Sequence, residues 1–220
     1  MFEIVLATPA DLDDVVLLRQ NAREWLRSRK NDQWQKPWPS AEGERERLLQ
    51  GLENQKTWIV RLSSEPAATF TIDEFSDPQL WTELEQSDRA LYVHRFIVHR
   101  NYGGIKLGIA LMNLIEVLAR RGGYQWLRVD VWTSNTELQR YYQDLGFEHV
   151  RTIESDYPSG ALFQRPVQVH SQSLSPLRSV SALEPRRPQP GRCAECTAQP
   201  TLTKLPAYPG RRGKVQSFEP

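Results

Sequence analysis

The amino-acid sequence predicts a mixed α/β (α+β) fold, in which helices flank a central twisted sheet of parallel and antiparallel strands. Two observations support this prediction. Short apolar runs typical of strands alternate with runs in which apolar residues recur every three or four positions, as on one face of a helix. In addition, residues 90–132 read as a strand, a helix and a strand, an order that gives a parallel pair through a right-handed crossover. We therefore expect helices on both faces of one mixed sheet.

The composition of the 220-residue chain changes near residue 168. All seven tryptophans precede that point, whereas eight of the fifteen prolines lie beyond it. Residues 169–220 carry eight Lys and Arg against three Glu, a net charge of +5 within a chain whose total is +1. Such a segment buries too little apolar surface to offset an ordering cost of roughly 1–2 kcal/mol per residue. We expect one folded domain over residues 1–168 and a disordered tail, rich in Pro, Arg and Ser, over residues 169–220.

The domain begins with a short apolar strand over residues 2–7 and a helix. Thr8-Pro9-Ala10-Asp11 is a helix start, with threonine as the cap, proline in the first turn and an acidic residue three positions after the cap. Apolar residues then keep helical spacing as far as Leu26, and the polar run at 27–31 ends the helix. A loop with two tryptophans and two prolines follows at 32–39.

The remaining elements follow from the same patterns of spacing and turn residues. Further helices are predicted at residues 40–54, 104–121 and 135–145. Further strands are predicted at residues 57–62, 67–73, 90–98, 126–132, 147–151 and 161–164. The first two of these strands form a hairpin through the turn at 63–66, and the last two are joined by a Tyr-Pro-Ser-Gly turn at 157–160.

Residues 96–112 pass from a strand through a glycine-containing turn into a helix. Glycines at 103, 104 and 108 let a ligand approach the backbone closely, and the first N–H groups of a helix have no partner within it. The positive end of a helix suits a phosphate or pyrophosphate. The chain lacks the Gly-Lys-Ser/Thr of NTPase loops, and its glycine spacing differs from the dinucleotide fingerprint. A plain turn is the alternative interpretation.

A second motif, Asn-Thr-Glu-Leu-Gln-Arg-Tyr-Tyr-Gln-Asp-Leu-Gly-Phe, follows the next strand at residues 135–147. With this motif, the chain resembles the GNAT superfamily of N-acetyltransferases, and residues 157–166 resemble its bacterial members. The family pattern Asn-x-x-Ala-x-x-Leu-Tyr-x-x-x-Gly-Phe is matched at Asn135, Tyr142, Gly146 and Phe147, with Leu138 and Tyr141 as apolar variants. In the turn, Gly104 and Gly108 match the family, whereas Gly103 replaces its Arg or Gln and Lys106 replaces its middle glycine.

The resemblance implies a GNAT-like acyl-CoA N-acyltransferase fold with acetyl-CoA as co-substrate and no metal. It implies that backbone groups of residues 96–98 bind the pantetheine arm where two parallel strands splay apart, and that amides of residues 103–109 hold the pyrophosphate. Lys106 either adds a compensating charge or points to solvent. The residues assigned to the cofactor site are Phe96, Ile97, Val98, Gly103, Gly104, Lys106, Gly108, Ile109 and Asn135.

The implied reaction is direct attack of a neutral amine on the thioester. A primary amine with a pKa of about 10.4 costs about 4.6 kcal/mol to deprotonate at neutral pH, so a base or a water chain is needed. His94 on the acetyl-binding strand is the first candidate base, with Tyr92, Asp73 and a water relay left open. The resemblance makes Tyr142 the donor to the departing thiolate, against the alternative that it is ordinary core.

The acceptor site is expected along the first helix and the loop after it. In this loop, Asp32, Gln33, Trp34 and Gln35 join a flat apolar surface to polar groups, and Trp34 and Gln35 are the candidate substrate-binding residues. The alternative is that Trp34 simply covers the core. The amine acceptor, a small molecule or a protein, is left open, as is the oligomeric state, a homodimer included. Fold alone does not settle the acceptor.

Composition also limits the function classes. No run approaches the ~18 apolar residues of a membrane span, and residues 1–9 lack a basic-then-apolar signal, so we expect a soluble cytoplasmic protein without membrane contact. Cys193 and Cys196 both lie in the tail and make a poor zinc site. Two rival functions remain: a non-catalytic acyl-CoA-binding module, and an interaction protein whose basic tail contacts nucleic acid. The second has weak support, because the cations are dispersed without aromatic residues between them.

Overall fold

The structure, a computed structural model, describes residues 2–37, 40–154 and 158–168. The predicted tail with Cys193 and Cys196, and Tyr157 of the last predicted turn, lie outside the described residues. The elements in chain order are β1 (Phe2–Leu6), α1 (Leu12–Ser28), α2 (Ala41–Glu53), β2 (Thr57–Leu62), β3 (Glu65–Asp73), α3 (Glu83–Gln86), β4 (Ala90–Val98), α4 (Leu107–Arg121), β5 (Trp126–Val131), α5 (Thr136–Asp144), β6 (Glu148–Thr152) and β7 (Ala161–Pro166).

The strands of the described residues form one sheet in the order β1-β2-β3-β4-β5-β7-β6. Neighbouring strands are antiparallel, except that β4 and β5 are parallel and are joined through α4. The predicted mixed α/β fold is therefore confirmed. In this part of the chain, no helix has both the length and the apolar character that crossing a bilayer requires.

Helices cover both faces of the sheet, as the alternation of side chains along β4 illustrates. Ile97 packs with Leu18 and Ala22 of α1. Its neighbour Phe96 points to the other face, where its ring lies 3.6 Å from the position that a Cβ on Gly108 of α4 would occupy. Because successive side chains of a strand alternate between faces, α1 and α4 lie on opposite sides of the sheet.

Caps fix where the helices begin, at or near the predicted positions. The backbone N–H of Thr8 donates to the Asp11 carboxylate at 2.7 Å, Ser40 Oγ accepts from Gly43 N–H at 3.0 Å, and Asn135 Oδ1 accepts from Leu138 N–H at 3.0 Å. Each bond satisfies a backbone donor at a helix entry that has no partner within the helix.

Apart from shifts of one or two residues at other element ends, three local details differ from the prediction. The helix predicted from residue 104 begins at Leu107, because Gly104 and Lys106 have positive φ angles of 82° and 61°, which are not helical. The hairpin turn contains only the two serines at 63–64, with φ angles of 51° and 73°, so β3 begins at residue 65 instead of 67. The short helix α3 was not predicted; Thr82 caps it through a reciprocal pair of hydrogen bonds with Glu85.

Candidate active site

Strands β4 and β5 pair only at their beginnings. Their register contains Ala90 with Trp126, Leu91 with Leu127, and Tyr92 with Arg128, whereas β4 continues to Val98 and β5 to Val131. Beyond Tyr92, the backbone groups of β4 that point toward β5 are therefore outside the ladder. This is the separation of two parallel strands that the resemblance implies.

A β-bulge bends β4 just beyond the split. Thr71 pairs with His94 and Thr69 pairs with Ile97, so two residues of β4 oppose one residue of β3. Arg95, the first of these two, has a φ of 49°. A bulge bends its strand and increases the local twist. It also shifts the alternation by one residue, so that His94 and Ile97 face the same side of the sheet.

A cavity of about 590 Å³, here called the outer cleft, opens beside the second half of β4. Its walls come from the end of α1, the end of β4, the turn before α4 and the start of α5. All nine predicted cofactor-binding residues line it: Phe96, Ile97, Val98, Gly103, Gly104, Lys106, Gly108, Ile109 and Asn135. The structure thus brings together residues from three separate elements, while their binding of coenzyme A stays a prediction.

The N-terminus of α4 points free backbone donors at the outer cleft. The first hydrogen bond that closes a turn of α4 runs from Ala110 N–H to Lys106 O at 3.1 Å, so the N–H groups of residues 107–109 have no partner within the helix. Lys106 occupies the cap with a left-handed backbone, the conformation that a glycine takes most easily. The local backbone therefore keeps a glycine-like turn although the residue is a lysine.

A second cavity of about 310 Å³, the inner cavity, adjoins the outer cleft. Four residues line both of them: Gln33, Trp34, Phe96 and Leu138. His94 and Tyr142, the two predicted catalytic residues, both line the inner cavity and do not line the cleft. The candidate chemical groups and the candidate cofactor groups therefore lie on adjoining surfaces.

His94 lies between two carboxylates. Its Nδ1 is 2.9 Å from Asp130 Oδ1, and its Nε2 is 3.8 Å from Asp73 Oδ1. Burial alone lowers the pKa of a histidine, but Asp130 and Asp73 outweigh burial here and raise the pKa of His94 to about 9. The imidazole is therefore protonated at neutral pH. A role as general base requires its neutral form, and this role stays a prediction.

Asp73 remains ionised beside this imidazolium. Burial raises the pKa of its carboxyl, but His94 and Lys56 lower it further, so the net shift is downward. The ammonium of Lys56 lies 3.3 Å from Asp73 Oδ2. The wall of the inner cavity at β3 and β4 thus consists of paired charges, and Asp73 itself is a poor proton acceptor.

Tyr142 is buried, with 5% of its surface exposed. Its ring makes edge contacts with Tyr141 and Phe147 at centroid distances of 5.6 and 5.4 Å. Burial, helped by Tyr141 and Asp130, raises the pKa of its phenol above the ordinary value. The hydroxyl therefore keeps its proton at neutral pH and is available as a donor.

The two predicted acceptor-binding residues have different positions. Trp34 lines both cavities, has a φ of 59°, and carries the guanidinium of Arg19 4.5 Å above its ring. Gln35 lines neither cavity, because its amide nitrogen donates to the carbonyl oxygens of Arg23 and Gln33 at 3.1 and 3.2 Å. Gln35 thus holds the loop in place, and its assignment to the acceptor site lacks support from the geometry.

Two residues that were not assigned a catalytic or binding role also line the cavities. Gln33 is buried, and its Oε1 accepts from Asn135 Nδ2 at 2.5 Å, so the loop after α1 is tied to the cap of α5. Tyr141, interpreted from the motif as an apolar variant, lines the outer cleft. The signal for Tyr141 was present in the helix period, because adjacent residues of a helix point about 100° apart and Tyr142 faces the inner cavity.

Comparisons with known proteins agree with this architecture. A model of the acetyltransferase (GNAT) family matches residues 20–147. No curated protein sequence matches the chain. A GNAT-family acetyltransferase of Listeria monocytogenes has 24% sequence identity and a TM-score of 0.58, over 75% of this chain and 94% of its own. One of Streptococcus agalactiae has 21% identity and a TM-score of 0.61, over 76% and 96%.

The fold is also shared with a structure that holds the cofactor of the family. The PaiA N-acetyltransferase of Thermoplasma acidophilum, solved in complex with coenzyme A, has 14% identity and a TM-score of 0.56, over 76% of this chain and 99% of its own. Likeness at this identity establishes the fold, whereas the family model covers more than half of the sequence. The chain therefore belongs to the GNAT family of acetyltransferases, which transfer acyl groups from acyl-CoA.

Proposed function

We propose that this GNAT protein transfers an acetyl group from acetyl-CoA to a primary amine by direct attack of the amine on the thioester. One observation carries the proposal. The outer cleft, where β4 leaves β5, adjoins an inner cavity that contains both a protonated phenol and an ionised carboxylate-imidazole cluster. A thioester at this junction has backbone donors on one side and proton-transfer groups on the other.

The proposed path of acetyl-CoA runs from the tip of α4 to the split. The pyrophosphate accepts from the free N–H groups of residues 107–109, with the ammonium of Lys106 near by. The pantetheine arm lies along residues 96–98, on the edge of β4 that does not pair with β5. The thioester carbonyl then accepts from a β4 backbone N–H, which stabilises the oxyanion that forms during attack.

The acceptor amine enters the inner cavity. An ammonium ion is attracted by Asp73 and Asp130, and Trp34 gives an apolar surface for the carbon chain. When His94 is neutral, the ammonium ion loses a proton to it, the amine nitrogen attacks the carbonyl carbon, and the carbon-sulfur bond breaks. Tyr142 donates its proton to the departing thiolate, the attacking nitrogen releases its second proton to the phenolate as the amide forms, and His94 returns its proton to solvent. The products are an amide and coenzyme A.

The test is a screen of primary amines with acetyl-CoA, in which thiol release is measured together with the mass of the acetylated product. For the best acceptor, Tyr142→Phe should lower kcat by about 10²-fold or more, the range of general acid catalysis. Tyr124→Phe is the matched control, because this substitution also removes a phenolic hydroxyl, but from a residue that lines neither cavity. An unimpaired Tyr142→Phe enzyme removes Tyr142 from the mechanism.

The same screen separates transfer from mere binding. If acetyl-CoA binds tightly and no amine releases thiol above the rate of hydrolysis, the chain acts as an acyl-CoA-binding module and the proposal is wrong. If other acyl-CoA esters turn over faster than acetyl-CoA on the same amine, amine acyl transfer stands and the choice of acetyl is wrong.

A further inference from the structure

Two adjacent tyrosines of α5 face two different cavities. Tyr141 lines the outer cleft and Tyr142 lines the inner cavity. Their rings meet edge to face at 5.6 Å, so each ring holds the other in place. The mechanism above uses only Tyr142. The chemistry of the second phenol is therefore unassigned, although it lies in the cleft proposed for coenzyme A.

The Tyr141 hydroxyl lies against the first turn of α4. Its oxygen is 2.7 Å from the position that a Cβ on Gly108 would occupy, so only the missing side chain of Gly108 leaves room for it. Gly108 belongs to the turn whose N–H groups have no partner within the helix. The hydroxyl therefore lies beside the turn that offers N–H groups to an anion.

The Tyr141 hydroxyl is a donor without an acceptor in the described part of the chain. None of its neighbours there accepts a hydrogen bond from it, and the half-buried Tyr141 side chain lines the cleft. Burial raises the pKa of this phenol, which therefore keeps its proton at neutral pH. A neutral phenol beside free N–H groups suits a negatively charged acceptor.

We propose that Tyr141 is a cofactor-positioning residue whose hydroxyl donates to a pyrophosphate oxygen of coenzyme A at the tip of α4. This inference rests on the proposed function, because it requires the coenzyme in the outer cleft. It also accounts for the imperfect glycine turn. Gly103 stands where the family has Arg or Gln and offers no side-chain donor, whereas Tyr141 brings a donor to the same cleft from α5.

The first experiment measures the Kd of coenzyme A by titration calorimetry for the wild type and Tyr141→Phe. We expect about tenfold weaker binding by the variant, the effect of losing one hydrogen bond to a charged group. Tyr124→Phe, which removes a hydroxyl outside both cavities, should bind like the wild type. In turnover, Tyr141→Phe should raise KM for acetyl-CoA about tenfold and keep kcat within about twofold of the wild-type value. This pattern is expected when the lost hydrogen bond is equally strong in the bound substrate and in the transition state.

S-acetylpantetheine, which carries the thioester without the pyrophosphate, tests whether the Tyr141 hydroxyl donates to the pyrophosphate. Wild type and Tyr141→Phe should use it with equal kcat/KM, because the proposed acceptor is missing. If the variant is weakened to the same extent with this substrate as with acetyl-CoA, the hydroxyl does not act on the pyrophosphate and the inference is overturned.

A double-mutant cycle with Gly108→Ala tests the placement of the hydroxyl. The added methyl group lies 2.7 Å from the Tyr141 oxygen but 3.6 and 3.7 Å from Phe96 and Val98, so the hydroxyl is what must move. Gly108→Ala should therefore weaken coenzyme A binding more in the wild type than in Tyr141→Phe, where that oxygen is absent. Strictly additive effects contradict the inference.

The outcomes separate the two proposals. A wild-type protein that does not bind coenzyme A contradicts the proposed function itself. A wild type that binds coenzyme A as tightly as Tyr141→Phe overturns only the role of Tyr141. Thermal unfolding of each variant shows that the comparison is made between folded proteins, since Phe keeps the ring contact with Tyr142.

Discussion

The Nδ1 atom of His94 on β4 lies 2.9 Å from a carboxylate oxygen of Asp130 on β5, so an ion pair joins the two strands just beyond the point where their backbone pairing ends. Asp73 on β3 approaches the other ring nitrogen at 3.8 Å, and Lys56 approaches Asp73 at 3.3 Å. This cluster of charges connects β3, β4 and β5 with Lys56, the residue just before β2. It also determines when the imidazole can accept a proton.

The first prediction concerns the pH dependence of transfer. Because His94 is a base only in its neutral form, kcat/KM for the amine should rise with pH and level off above about 9, the pKa of His94. The measurement needs an acceptor amine whose own pKa lies well below that range. His94→Gln should lose this rising limb. A profile that is the same in both proteins shows that another group or water takes the proton.

The second prediction concerns stability. The pKa of His94 is raised in the folded protein from 6.5 to about 9, so its stabilising effect is complete below about 6.5 and is lost as the pH rises through about 9. The free energy of unfolding from urea titrations should therefore fall more steeply for the wild type than for His94→Gln between these values. Parallel curves for the two proteins contradict the ion-pair assignment.

The third prediction concerns Arg128, whose surface is 1% exposed. Its guanidinium donates to the Glu85 carbonyl at 2.5 Å and to Tyr92 Oη at 2.9 Å, pairs with Asp88 at 2.5 Å, and lies 4.6 Å above the Trp81 ring. These bonds fix the segment around α3, which contributes Trp81 to the wall of the inner cavity.

Arg128→Met should lower the free energy of unfolding by about 3 kcal/mol, because it leaves several polar partners unpaired. Arg121→Met is the matched control at an exposed site and should change stability by less than about 0.5 kcal/mol. Chemical denaturation of both variants makes the comparison. Equal, small effects would show that the acidic and carbonyl groups around Arg128 find other partners.

The fourth prediction compares two residues of the turn before α4. Gly104 has a φ of 82° and no atom within 4 Å of an added Cβ, so Gly104→Ala should destabilise through backbone strain alone, by roughly 1–2 kcal/mol. Lys106 already carries a side chain at a φ of 61°. Lys106→Gly should therefore be neutral or stabilising by up to about 1 kcal/mol, since relief of strain is partly offset by a freer unfolded chain. Thermal unfolding measures both, and a stabilised Gly104→Ala protein contradicts the strain.

Local sequence patterns predicted the described helices and strands except α3, and they identified the residues that line the outer cleft. Ser40 and Asn135 mark helix starts in the sequence because their side chains accept hydrogen bonds from backbone N–H groups of the first helical turn. The glycines around α4 are separated by few residues from the end of β4, so a short connection brings them to one cleft.

The acceptor side depends on long-range geometry that no local pattern contains. The bulge at Arg95 shifts the alternation of side chains along β4 by one residue, and this shift places His94 on the same face of the sheet as Ile97. The position of Gln35 is set by carbonyl groups of Arg23 and Gln33, and Gln33, two residues earlier, is buried. The orientation of Tyr141 relative to Gly108 depends on how α5 packs beside α4, more than thirty residues earlier in the chain.

Within the described residues, β4 and β5 form only three residue pairs, and these, with two further backbone hydrogen bonds to the Arg89 carbonyl just before β4, join the β1–β4 part of the sheet to the β5–β7 part. In the proposed complex, coenzyme A lies along the part of β4 that β5 does not pair with. The amide groups of its pantetheine arm then form hydrogen bonds with β4 in place of a neighbouring strand. We therefore expect coenzyme A to raise the unfolding temperature and to slow hydrogen exchange of amides in residues 93–98 more than in β2, which is already paired on both edges.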